Sequence, residues 1–139
     1  MQRLPMIKLK DILTEGFNKK EAQSVVDRVY PQIVKNLGRA KRGTPKVSFH
    51  SSIYVRVTGD ADAQGEANPH AEYDWDKNRI YLYTPKMVNE KEIIKALLHE
   101  YTHATQDGKK MKEYRKLGYA KNPYEKAAIR AENNWKKYI

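Results

Sequence analysis

Two histidines four residues apart, with a glutamate directly after the first, are the residues of this chain best suited to chemistry: His99-Glu100-Tyr101-Thr102-His103. On a helix, residues at that spacing project from one face with Cβ atoms about 6 Å apart, which suits two ligands of a tetrahedral zinc ion. Glu100 is rotated from His99 by about 100°, so it misses the ion yet reaches a water bound to it, the position of a general base. The chain has no Cys, which excludes a disulfide framework, thiolate ligation, an iron–sulfur site and thiol catalysis. Any metal must therefore be held by His, Asp or Glu, and there are only four His: His50, His70, His99 and His103.

A catalytic zinc commonly takes three protein ligands and keeps one position open. The extended pattern HExxHxxGxxH is absent, since Gln106 stands at its Gly and Lys109 at its last His. Downstream, NPYEKAAIRAE offers Glu125 and Glu132, seven residues apart on one helical face, with the small Ala128 between them to let the metal helix approach. Glu125 has a purely structural alternative, because Asn122-Pro123-Tyr124-Glu125 is also a helix-capping box. His70 lies in a loop as an external ligand, a transition-state donor or a solvated residue, and His50 falls in a β-patterned, structural setting. Tyr114, Arg115, Tyr119 and Tyr124 lie between the two ligand segments and are candidate donors to a developing oxyanion.

The elements that must carry these residues follow from hydrophobic period and capping signals. Lys8 to Phe17 carries a short helical stripe. Asn18 with Glu21 opens a second helix, whose apolar positions from Ala22 to Leu37 recur at i, i+3, i+4 until Gly38. Val47 to Val57 is β-branched and aromatic, which predicts one or two strands. A loop over Gly59 to His70 leads to strands at Ala71 to Trp75 and Arg79 to Tyr83. Asn89 and Glu92 then cap the HExxH helix, stopped by Gly108, and Asn122, Pro123 and Glu125 start a last helix with Ala128, Ile129 and Trp135 inward. The order predicts one α+β domain over residues 1–139: a helical part over 1–45, then a small, mostly antiparallel sheet, the HExxH helix and a glutamate helix.

The segments HEYTHATQ and NPYEKAAIRAE resemble the small zinc metallopeptidases of the gluzincin type, in particular the short forms called minigluzincins, over about residues 70–139. The resemblance implies a zincin-like fold, zinc as cofactor, and a protein or peptide as substrate. It implies His99, His103 and Glu125 as ligands and Glu100 as the base. It also implies a sheet edge strand above the site helix that takes substrate as an added strand, here matched to Arg79–Tyr83. The chain departs from thermolysin-like relatives in lacking a recognisable Asp after the ligand Glu and a recognisable transition-state His.

The net charge of +10 is concentrated at the ends: residues 1–45 carry +6 and residues 109–139 carry +7. Basic ends fit solvated helix faces, and they also fit nucleic acid or an acidic protein as partner. Two alternatives to a working peptidase follow: a nucleic-acid-associated protein with an inactive or accessory peptidase fold, and an autoinhibited form in which residues 1–45 cover the cleft. No membrane span or signal segment is legible, so the expectation is a cytoplasmic protein.

Overall fold

The computed structural model describes residues 18–67 and 69–139; the stripe expected at Lys8 to Phe17 lies outside the described residues. Helix α1 (Lys19–Leu37) starts where Asn18 Oδ1 accepts the Glu21 amide at 2.8 Å and ends where Gly38 turns to φ 93°. Its apolar stripe, Ala22, Val25, Val26, Val29 and Ile33, is buried. Strand β1 (Lys46–His50) follows, then α2 (Ile53–Thr58), β2 (Ala71–Asp74), β3 (Arg79–Tyr83), α3 (Glu90–Ala104), α4 (Gly108–Tyr114) and α5 (Pro123–Glu132). Single 3₁₀ turns at Thr84–Lys86, Arg115–Leu117, Tyr119–Lys121 and Trp135–Tyr138 complete the described elements. None of the described helices is long and apolar enough to cross a membrane.

The α+β class is as expected, but the sheet is mixed rather than mostly antiparallel. Its order is β1-β3-β2, with β1 parallel and β2 antiparallel to β3. Two further expectations are corrected. Ile53 to Val57 is helical: Ser52 Oγ accepts the Val55 amide at 3.2 Å, and Gly59 stops the helix in the left-handed region at φ 74°. These local signals outweigh β-branched composition over so short a stretch. Arg79–Tyr83 is the central strand and has no free edge; Ile80, Tyr81, Leu82 and Tyr83 are all buried, as expected of a strand covered on both faces.

One face of the sheet, with Ile80, Leu82 and Tyr73, joins the core built with α1 and with the apolar side of α3: Ile93, Ile94, Leu97, Leu98 and Tyr101. The Tyr101 hydroxyl donates to the Gly38 carbonyl at 2.6 Å, fixing α3 against the end of α1. On the other face, Arg56 of α2 stacks on the Tyr81 ring at 4.0 Å and donates to the Tyr83 hydroxyl at 2.9 Å. Tyr83 in turn donates to Glu72 at 2.6 Å. The loop after α2 folds back over Tyr54, where a Cβ at Gly65 would overlap the ring. At the C-terminal end, Arg28 and Asn36 of α1 each bond to Tyr138 at 2.9 Å.

Candidate metal centre

The HExxH sequence occupies the last two turns of α3. The helix is started by Asn89, whose side chain accepts the Glu92 amide at 3.0 Å, while Glu92 accepts the Val88 amide at 2.7 Å. With its apolar side committed to the core, the helix turns Glu92, Ala96, His99 and His103 toward a groove of about 810 Å³. The opposite wall is α5 and the connector before it, and the rim is β2 with Trp75. Asn122, 2% exposed, caps α5 by accepting the Tyr124 and Glu125 amides at 2.9 and 3.3 Å. Ala128, fully buried, fits between α5 and α3, whereas Ile129 is 42% exposed and does not point inward as expected.

The Glu125 carboxylate does not close the capping box. Its Oε1 lies 3.0 Å from His103 Nε2 and 3.2 Å from His99 Nε2, and the Asn122 amide bonds to Gly118 and Tyr119 carbonyls instead of to a capping carboxylate. The outer nitrogens are engaged too. His99 Nδ1 lies 2.7 Å from Glu132 Oε2, and His103 Nδ1 lies 2.7 Å from Gln106 Oε1. Gln106 is oriented by its Nε2, which donates to the Tyr124 carbonyl at 3.1 Å, so its Oε1 must accept. Both Nδ1 atoms therefore carry a proton, which leaves each Nε2 to face Glu125 either as a lone pair or as an N–H donor.

Three lone-pair atoms facing one another repel unless positive charge lies among them. The charge comes either from extra protons on the imidazoles or from a cation. The spacing suits both: 3.0 and 3.2 Å are ordinary N–H···O lengths, and a tetrahedral ion with ligands at about 2.0–2.1 Å has ligand–ligand edges of about 3.3 Å. His99, His103 and Glu125 thus form a group that could hold a metal ion. Under the protein's own charges, burial opposes a charged His99, yet its bond to Glu125 and the charges of Glu100 and Glu132 raise it to about 9. Burial likewise opposes a charged Glu125, but His103 and His99 draw it down to about 2.

Glu100 is 9% exposed, lines the groove, and makes no hydrogen bond among the described residues. Burial pushes its carboxyl up to about 7, against the opposing charges of His99 and His103. Of the four candidate donors, Arg115 and Tyr119 line the groove, while the rings of Tyr114 and Tyr124 pack edge to face at 5.0 Å. His70 is also at the groove, whereas His50 packs on Tyr81 across the sheet with its pKa lowered, chiefly by burial.

Glu132 orients His99, a role that its position two turns beyond Glu125 makes possible but does not announce. Gln106 does the same for His103 from one turn beyond it. Trp75, 6.0 Å from the His103 ring, was not legible as part of the site at all. None of residues 18–45 lines the groove, so that part of the chain does not cover the cleft. Compared with family models, with curated proteins and with solved structures, the chain matches none.

Proposed function

We propose that the protein is a zinc-dependent peptidase that hydrolyses peptide bonds with Glu100 as general base. The observation that carries this reading is the convergence of His99 Nε2, His103 Nε2 and Glu125 Oε1 in an open groove, beside a buried carboxyl that makes no hydrogen bond among the described residues. Zinc, when bound, supplies a positive charge that polarises a carbonyl and lowers the pKa of water. The remaining work belongs to the chain. Glu132 and Gln106 hold the imidazoles in the ligating tautomer. Glu100 takes the proton of the attacking water on its carboxylate and returns it to the leaving amine, a task favoured by a pKa near the working pH. Arg115 and Tyr119 present donors to the groove for the developing oxyanion.

Substrate binding follows the corrected sheet order. The strand with an unpaired side on the groove is β2, so an extended peptide pairs with Ala71–Asp74 rather than with Arg79–Tyr83. The test is metal analysis joined to cleavage of an unstructured protein or a peptide library. About one zinc per chain and chelator-sensitive cleavage are expected. Glu100→Gln should retain the zinc and lose at least about a hundredfold in cleavage rate. A Glu100→Gln protein that cuts a verified substrate at the original rate would overturn the mechanism.

A further inference from the structure

Six basic residues from separate segments of the sequence come together at one end of the sheet. The connector after α1 brings Lys41 and Arg42; Arg42 donates to the main-chain carbonyls of Trp75 and Asp76. The β2–β3 turn brings Lys77, and the strand starts bring Lys46 and Arg79, paired in register. The first turn of α4 brings Lys109, next to Gly108, where a Cβ would stand 3.4 Å from the Trp75 ring. All six side chains are exposed, and none makes an ion pair among the described residues. Three carboxylates share this end, Asp74, Asp76 and Asp107, and remain charged while Asp74 and Asp107 accept local main-chain amides, so the six cations exceed the acids by three and the surface is net positive.

This surface adjoins the metal centre through one residue. Trp75 has its carbonyl held by Arg42 while its ring lines the groove and packs on His103. Strand β2 runs toward the same place. A peptide extended along β2 advances about 3.3 Å per residue, so about three or four residues from mid-strand it leaves the sheet at the Asp76–Asn78 turn, among these cations. We propose that this basic end is a substrate subsite, and that the preferred substrates are polypeptides with an acidic run a few residues to one side of the scissile bond.

The proposal rests on the peptidase reading and on charge complementarity along the path of the chain. A nucleic acid is the less favoured occupant: the cations stand on tight turns and strand ends, with no long helix or free ribbon to enter a groove of a duplex.

The experiment compares matched peptides with an acidic run on either side of a cleaved bond, or none, in the wild type and in a Lys41→Glu/Lys77→Glu/Lys109→Glu variant. An acidic run on one side should lower KM by about tenfold at low salt and lose that advantage as salt rises. The variant should lose the advantage while keeping its zinc, its kcat and its rate on the neutral peptide. Binding of a labelled oligoglutamate to zinc-loaded Glu100→Gln protein, followed by anisotropy, reads the surface without any cleavage. If nothing is cleaved but oligoglutamate binds and the three substitutions abolish it, the surface stands and the peptidase reading falls. Cleavage indifferent to acidic runs, with equal oligoglutamate binding by both proteins, overturns the proposal. So does a DNA duplex that binds more tightly than oligoglutamate and is the only probe lost in the variant.

Discussion

Glu125 and Glu132 approach opposite nitrogens of the same imidazole, and this separates what each should do. Glu125→Gln removes the anionic member of the donor set and should weaken zinc binding by at least about a hundredfold. Glu132→Gln keeps an oxygen able to accept the His99 Nδ1 proton, so the loss should stay within about tenfold, whereas Glu132→Ala should approach about a hundredfold. Competition against a chromophoric chelator measures all three, and equal losses for the two glutamines would remove the distinction. The pairing of His99 with His103 was legible because helical period alone fixes the relation of these two histidines. The partners of their outer nitrogens were not, because Glu132 meets His99 only through the way α5 crosses α3, which no local pattern encodes.

The same dependence operates between elements. Asn122 is buried and holds the first turn of α5, the turn that carries Glu125. Asn122→Ala should therefore cost about 1–2 kcal/mol in denaturant unfolding and also weaken zinc binding, although residue 122 touches none of the donor atoms. A stability loss with unchanged zinc affinity would show that α5 is held in place by packing alone. Helix starts were the most legible feature of this chain: Asn18, Asn89 and Asn122 all cap as their spacing to Glu suggests. Two readings failed, one drawn from composition and one from resemblance. Ile53 to Val57 has the residues of a strand, but Ser52 and Gly59 bracket it as a helix. Arg79–Tyr83 lacks the polar alternation of an exposed edge, and that lack was the available sign of a central strand.

For the molecule as a whole, the sheet, α1 and α3 share one core, and α5 closes the groove from the far side of α3. The candidate donors come from both α3 and α5, so under the proposed function a bound ion cross-links two elements and its removal should be felt in global unfolding. With zinc at about a thousand times its dissociation constant, linkage contributes about 4 kcal/mol, so chelation should lower Tm by about 10 °C. In Glu125→Gln most of that difference should vanish; an unchanged Tm in the wild type would mean that the centre binds no ion at all. The chain has two tryptophans, and they stand in different surroundings: Trp135 faces Lys91 at 4.7 Å, while Trp75 lies against His103. The molecule thus carries its own optical gauge. Intrinsic emission should change as zinc is titrated in, the change should disappear in Trp75→Phe, and Trp135→Phe should leave it intact, so occupancy of the centre can be followed in real time with no label attached.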